Sequence, residues 1–358
     1  MISVVMGTRP EVIKLMPVVM ALRKKGLASE AVCSGQHGDL ARHAAGAFGV
    51  SFDVTLEPPP GNLAGRLGWF VGALDGHFDK AKTSGVVVQG DTATALAAAV
   101  AGFLSKRPVA HVEAGLRTWD LGSPFPEESF RQMISRIAAI HFAPTAAARH
   151  NLLSEGVSLG RIFVTGNTIV DAVRLCVGRA VWPTSFPVPP AGQFVAVVTC
   201  HRRENWDTAA MPLGRAVARL AAKGVACLVV THPNGGAAAA FSGLPPPTFV
   251  GPPVTYLEMI AMLLRAGVVL TDSGGLIEEA ATLGRPAVIF RQSTERMEAV
   301  AAGSARLEMD EDRIVAAAEL AASGKWVLRE TEVFGDGQAA ERIAGIICKE
   351  WNRDEHVA

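Results

Sequence analysis

Short strand-like runs alternate with helical periodicity along almost the whole chain, and one proline-rich break interrupts them. In the first half the runs are Ile2–Met6, Ala31–Ser34, Val86–Gln89, Val109–Val112, His141–Ala143 and Ile162–Thr165. In the second half they are Phe194–Thr199, Cys227–Thr231, Thr248–Val250, Val268–Thr271 and Ala287–Phe290. Strands separated by helices at this spacing form parallel sheets with helices on both faces, which is a doubly wound α/β architecture. The segment from Trp182 to Pro190 carries four prolines and can be neither helix nor central strand. A chain of 358 residues also exceeds what one hydrophobic core usually serves. Two doubly wound domains are therefore expected, over 1–170 and 190–337, facing each other across a cleft by the carboxyl ends of their strands. The amphipathic pattern from Gln338 to Trp351, within a C-terminal segment 338–358, is expected to return to the first domain.

Charge and composition narrow the partners. Lys plus Arg and Asp plus Glu are 34 each, so no global field draws nucleic acid or an acidic membrane, and any anion site is local. The five cysteines, Cys33, Cys176, Cys200, Cys227 and Cys348, show no CxxC pairing or zinc spacing and read as free thiols of a reducing cytoplasm. The start, Ile2–Met6 running into Gly7-Thr8-Arg9-Pro10, reads as a first strand rather than a signal peptide. Arg265 interrupts the longest apolar candidate near Leu257 to Leu270, so no membrane span is expected. These features together predict a cytoplasmic protein.

Residues just past the carboxyl ends of parallel strands line the ligand crevice. Asp91 follows Val86–Gly90, Glu113 follows Val109–Val112, and Glu127 opens Pro126-Glu127-Glu128-Ser129-Phe130-Arg131. Three converging carboxylates suit proton transfer. Each also has a structural reading. Asp91 could cap the helix beginning near Thr92, Glu113 could pair with Arg117, and Glu127 with Glu128 suits a helix N-terminus after Pro126.

In the second half, an apolar strand, the turn Asp272-Ser273-Gly274-Gly275 and a helix start bring free N–H groups and a helix dipole to one point, where a phosphate can sit. Glu279, about a turn and a half into that helix, lies within reach of a ribose. His201-Arg202-Arg203-Glu204-Asn205 and Thr294-Glu295-Arg296 follow other strands of the same domain. Arg9 and Lys14 add cations from the first domain. Such a set suggests a diphosphate gripped at a helix N-terminus. No GxGxxG follows the first strand, and no GxxxxGK[ST], HExxH or GxSxG motif occurs. These absences argue against a dinucleotide redox cofactor, P-loop chemistry, a zinc hydrolase and a nucleophile elbow.

With Gly7-Thr8-Arg9-Pro10-Glu11 and Lys14, Gln36-His37, Gly90-Asp91-Thr92, His111 to Thr118, Pro126-Glu127-Glu128 with Arg131, Gly166-Asn167-Thr168, His201 to Asn205, Asp272 to Gly275 with Glu278-Glu279, and Thr294-Glu295-Arg296, the chain resembles the non-hydrolysing UDP-N-acetylglucosamine 2-epimerases. These blocks run in order through both halves. The resemblance implies Rossmann-like domains of the glycosyltransferase-B type, a homodimer, a UDP-sugar substrate, no cofactor or metal, and reversible inversion at C2 of UDP-GlcNAc in the supply of cell-surface polysaccharide precursors. It implies acid–base roles for Asp91, Glu113 and Glu127. Diphosphate stabilisation falls to His201, Arg9, Ser273 and Gly274 beside Gly275, and a ribose contact to Glu279. Lys14, Arg131 and Arg296 support the site. The sequence does not assign the first base among the three carboxylates.

Met297, Ile277 and the segment Ser304 to Met309 depart from the family pattern without removing a proposed catalytic group. Many members bind a second UDP-GlcNAc, and Gln36, His37, Arg202 and His232 are retained for it, while Asp39 and Pro58-Pro59-Pro60-Gly61 depart from that pattern. Rival expectations are a hydrolysing epimerase, an epimerase of a UDP-2,3-diacetamido uronate, a glycosyltransferase and a catalytically silent nucleotide-sugar sensor.

Overall fold

Strands that are apolar along their whole length can be covered only if both faces of the sheet are packed, and the chain builds two such sheets. The computed structural model describes residues 1–200, 210–231, 237–292, 294–330 and 332–351. The strands of the first sheet are β1 (Ile2–Met6), β2 (Ser29–Cys33), β3 (Val54–Thr55), β4 (Gly85–Gln89), β5 (Val109–Val112), β6 (Ile140–Ala143) and β7 (Ile162–Val164). Those of the second are β8 (Val195–Thr199), β9 (Ala226–Val230), β10 (Thr248–Gly251), β11 (Val268–Thr271), β12 (Ala287–Ile289) and β13 (Ala305–Leu307). Neighbouring strands are parallel throughout, in the orders β3-β2-β1-β4-β5-β6-β7 and β10-β9-β8-β11-β12-β13. Every strand-like run of the sequence overlaps a strand. The sequence patterns miss only β3 and β13, edge strands of two and three residues.

The orders locate the crevices. Strand order reverses between β1 and β4 in the first sheet and between β8 and β11 in the second, and ligands of open α/β sheets bind beyond the carboxyl ends at such a reversal. Both reversals are flanked by fully buried strands: β1, β4 and β8 have no exposed position. Burial of each Val, Leu or Ile side chain there stabilises the sheet by about 1.5–3 kcal/mol. The crevice walls are thus firmly packed in each unit.

The chain forms two compact units, Met1–Leu175 with Phe334–Ala358, and Cys176–Val333. The first contains the seven-stranded sheet. Its alanine-rich helix Ala93–Leu104 packs closely enough that a Cβ on Gly102 would meet Val109 at 3.0 Å. The helix Ala339–Trp351 belongs to this unit and lies against the helix Arg9–Lys24, with Lys24 Nζ 2.6 Å from Glu341. Asp171 caps it, accepting hydrogen bonds from the backbone N–H groups of Ala340 at 3.0 Å and Ala339 at 3.2 Å. Burial raises the pKa of Asp171 and these two bonds lower it in part. Trp351 fills the space over Gly85, where a Cβ would lie 2.5 Å from the indole.

The second unit contains the six-stranded sheet. The proline-rich segment runs along it: Trp182 Nε1 donates to the carbonyl of Phe186 at 2.9 Å, and Phe186 is buried over Gly251. Among the described residues, no helix is long and apolar enough to cross a membrane.

Candidate active site

The first crevice is organised by one buried carboxylate. Strand β1 ends at Met6, and the turn Gly7–Thr8 leads into the helix Arg9–Lys24 with Pro10 in its first turn. Glu11 Oε2 accepts from the N–H groups of Gly7 and Thr8, at 3.0 and 2.8 Å, and from the Thr8 hydroxyl at 2.8 Å. Its Oε1 accepts from the Thr92 hydroxyl at 2.6 Å. Burial raises the pKa of Glu11, and the hydrogen bonds from Thr92, Gly7 and Thr8 partly offset this. Glu11 therefore ties the loop carrying Arg9 to the loop carrying Asp91, across the β1/β4 reversal. Thr92, not Asp91, caps the helix Ala93–Leu104, accepting from Ala95 N at 3.0 Å.

Glu113 follows β5 in a left-handed backbone conformation, φ 60°, which is uncommon for a non-glycine residue. Backbone strain of this kind persists where the surroundings over-determine it, and it clusters at functional positions. Here the surroundings are Lys14, whose ammonium is in contact with Glu113 Oε2, and Asn167, whose Nδ2 donates to the same oxygen at 3.2 Å. All three side chains are buried. Arg117 instead chelates Glu155, with Nε and Nη2 at 2.5 and 2.9 Å, and donates to Ser135 at 2.8 Å.

Asp91 is half-buried and bound by Arg131 Nη2. Arg131 comes from the helix Glu127–Ile137, and its Nη1 also reaches Glu128 at 3.2 Å. Arg131 Nε is buried with no partner among the described residues. Glu128, fully buried, accepts from Thr118 N at 3.0 Å, Trp119 N at 3.3 Å and Gln132 Nε2 at 2.8 Å. It thus fixes the loop after β5 and the arginine that holds Asp91. Glu127, one residue earlier, is half-buried at the start of the helix. The structure therefore joins Asp91 to Arg131, and Glu113 to Lys14, on adjacent strand ends.

His111 lies inside the sheet, opposite His141 on β6. Burial lowers its pKa to about 3, and with one ring nitrogen bonded to the Gly90 carbonyl at 2.8 Å the neutral ring serves as a donor. Burial and then the charges of Arg161 and Arg117 lower His141 to about 4.

Gln36 and His37 sit beside this crevice. Gln36 Oε1 accepts from Thr94 Oγ1 at 2.7 Å and Thr94 N at 3.2 Å. His37 N donates to the Gly7 carbonyl at 2.8 Å. The His37 residue is exposed overall, yet loss of ring hydration lowers its pKa, and the charges of Arg66 and Arg9 lower it further. Arg66, which the sequence patterns do not single out, is thereby brought to the same patch as Arg9 and His37.

In the second unit, β11 ends at Thr271, whose hydroxyl bonds Thr199 of β8 at 2.7 Å and accepts from Ser273 N at 3.0 Å. Ser273 precedes the helix Gly274–Thr282 and makes no side-chain cap bond. The first-turn N–H groups thus point out of the helix at the β8/β11 reversal without a serine cap, as an anion site requires. Arg296 lies over Gly274: an added Cβ would stand 2.7 Å from its Cζ. The guanidinium donates from Nε to Glu278 at 3.0 Å and from Nη1 to Glu295, which also accepts from Arg291 at 3.0 Å. Gly275 differs, since nothing lies within 4 Å of a Cβ there. Glu279 is buried in the same helix.

His201, Arg202 and His232 lie outside the described residues. The sequence patterns miss Glu11, Glu128 as distinct from Glu127, Asn167, Arg66 and Glu278 as organising side chains. An acid in the first turn of a helix, or an Asn opening one, reads as capping, and only the fold shows what else it holds.

Residues 20–348 match the family model described as UDP-N-acetylglucosamine 2-epimerase. The chain is 36% identical over 360 residues to UDP-N-acetylglucosamine 2-epimerase of Escherichia coli (strain K12), covering 95% of this chain and 96% of that one. It is 34% identical over 318 residues to the enzyme of the same name from Neisseria meningitidis serogroup A, covering 85% and 86%. The crystal structure of UDP-GlcNAc 2-epimerase from Neisseria meningitidis bound to UDP-GlcNAc superposes with a TM-score of 0.90 at 31% identity, covering 98% of this chain and all of that one (100%).

Proposed function

This chain belongs to the UDP-N-acetylglucosamine 2-epimerase family, and from that premise we propose that it interconverts UDP-GlcNAc and UDP-ManNAc by eliminating UDP and adding it back. The C2 hydrogen has no adjacent carbonyl, so direct deprotonation is too slow. Elimination avoids this. A base removes the C2 proton, the C–H electron pair becomes the C1=C2 double bond, and the C1–O pair leaves with UDP. In the return step the UDP oxygen re-forms the bond to C1 while a proton reaches C2 from the opposite face.

The observation that carries this reading is the delivery of two separately held carboxylates to adjacent strand ends: Asp91 on Arg131 after β4, and Glu113 on Lys14 and Asn167 after β5. Epimerisation needs proton donors and acceptors on two faces of one carbon, and two carboxylates held on separate strand ends by separate partners can serve separate faces. Glu127 is the third acid–base group. The departing diphosphate goes to Ser273, Gly274 and Gly275 with Arg9 and His201, the ribose to Glu279, while Arg296 and Lys14 supply positive charge. The reading includes a homodimer in the cytoplasm that feeds polysaccharide assembly and needs no cofactor. It also includes a second UDP-GlcNAc at Gln36, His37, Arg202 and His232, for which sigmoidal kinetics abolished by Gln36→Ala is the expected sign, and hyperbolic kinetics in the parent enzyme would remove it.

The test uses bridge-labelled UDP-GlcNAc, with 18O between C1 and phosphorus. Elimination frees the β-phosphate to rotate, so label should scramble into non-bridging positions as UDP-ManNAc forms. Product formation with the label wholly retained in the bridge rules the route out. Accumulation of free ManNAc and UDP would instead support a hydrolysing epimerase. Turnover of a UDP-2,3-diacetamido uronate in preference to UDP-GlcNAc would reassign the sugar.

A further inference from the structure

Glu113 needs external support to stay on its left-handed backbone, and one of its partners, Asn167, serves another element at the same time. Asn167 follows β7 and precedes the helix Thr168–Val177. Its Oδ1 accepts from Ile169 N at 3.1 Å, and its own N–H donates to the Phe334 carbonyl at 2.8 Å. Because a backbone N–H takes Oδ1, the amide can face Glu113 only with its NH2 group, so the orientation follows from donor and acceptor chemistry. The side chain is 3% exposed, which leaves little freedom to turn away. Both Nδ2 and the Lys14 ammonium reach the same oxygen, Oε2.

We infer that Asn167 is a positioning residue for proton transfer at Glu113: its amide, locked by the Ile169 N–H, donates to Glu113 Oε2 beside Lys14 and sets how the carboxylate meets the sugar. This rests on the reading of Glu113 as an acid–base group. Aspartate separates the two duties of Asn167. It is as good a helix cap as asparagine and nearly the same size, so a purely structural residue tolerates it. Toward Glu113, however, it replaces a donor by a second carboxylate, and two carboxylates sharing one site hold a proton to higher pH.

The experiment compares Asn167→Asp, Asn167→Ser and Glu113→Gln in the full chain with UDP-GlcNAc. For Asn167→Asp the expected result is a thermal midpoint somewhat lowered at neutral pH and recovering as pH falls, KM within about twofold, kcat lower by about tenfold or more, and an acid limb of the kcat profile displaced upward by about one pH unit. Asn167→Ser keeps a capping oxygen but is too short to reach Glu113, so kcat should fall with the acid limb displaced upward less than in Asn167→Asp. Parental kcat and acid limb in Asn167→Asp, or parental kcat in Asn167→Ser, overturn the inference. If the aspartate variant does not fold, the serine variant decides alone. An inactive Glu113→Gln beside a parental Asn167→Asp overturns only the role of Asn167. A fully active Glu113→Gln overturns both that role and the assignment of Glu113.

Discussion

Two adjacent glycines at the helix Gly274–Thr282 should respond in opposite ways to the same substitution. A Cβ at Gly274 would lie 2.7 Å from Arg296 Cζ, 2.8 Å from Nη1 and 3.0 Å from Nε, all inside the van der Waals limit. The guanidinium cannot move aside freely, because it is buried and bound to Glu278 and Glu295. Overpacking costs about 1–3 kcal/mol, and loosening a buried ion pair adds to it, up to about 3–5 kcal/mol if one charge loses its partner. Alanine recovers only about 0.5–1 kcal/mol of helix propensity. Gly274→Ala should therefore destabilise the second unit by on the order of 1 kcal/mol, and by more if the ion pair loosens, lowering its Tm by about 2–4 °C per kcal/mol. Gly275→Ala meets open space, so it should leave Tm unchanged or raise it through an entropy gain of about 0.4–1 kcal/mol. Its methyl would nevertheless stand where an anion approaches the first-turn N–H groups, so UDP affinity should fall. Scanning calorimetry and titration with UDP read both effects. A Gly274→Ala variant as stable as the parent would refute the packing argument, and parental UDP affinity in Gly275→Ala would refute the placement of the diphosphate.

Other perturbations follow from the buried groups. His141 has a folded pKa of about 4, depressed from 6.5, so the unfolded chain binds more protons between these values. Its contribution is complete above pH 6.5 and is lost as pH falls toward 4, and His141→Gln should flatten the pH dependence of stability there, by at most about 1.4 kcal/mol per pH unit. An equal slope in both proteins, measured by denaturant titration at several pH values, would contradict this. Asp171→Ala removes the acceptor for Ala339 and Ala340 N–H and should cost about 1–2 kcal/mol, visible as earlier hydrogen exchange of the helix Ala339–Trp351. Arg131→Lys keeps the charge but gives up the planar fork that spans Asp91 and Glu128, so kcat should fall by about tenfold or more and Tm should fall as well, because the buried Glu128 loses part of its pairing. Arg131→Lys at parental kcat would separate that fork from catalysis.

Much of this fold was readable because parallel strands are apolar along their length. β5 and β11 begin and end where the apolar runs Val109–Val112 and Val268–Thr271 do. β3 and β13 escaped for the converse reason: as short edge strands they carry an exposed Thr55 and Arg306 and form no apolar run. The strand-end rule brought Asp91 and Glu113 forward, since it depends only on where a strand stops. What it could not supply was the company each keeps. Lys14 lies 99 residues from Glu113 and Arg131 lies 40 from Asp91, and neither pairing has a local signature. Between Glu127 and Glu128 the choice rests on helix phase: one position is buried against Arg131 and the loop after β5, and its neighbour is half-buried. Glu11 and Asn167 read locally as caps, which they are, while their second contacts exist only once β1, β4, β5 and β7 stand in one sheet.

On the proposed route, carboxylates at adjacent strand ends move a proton on and off C2 of a UDP-sugar. Incubation of the purified chain with UDP-GlcNAc in deuterium oxide, without added nicotinamide, tests it most directly. UDP-ManNAc should form carrying deuterium at C2, with Glu113→Gln and Asp91→Asn each slowing its appearance. UDP-ManNAc formed with the original hydrogen still at C2 would contradict it.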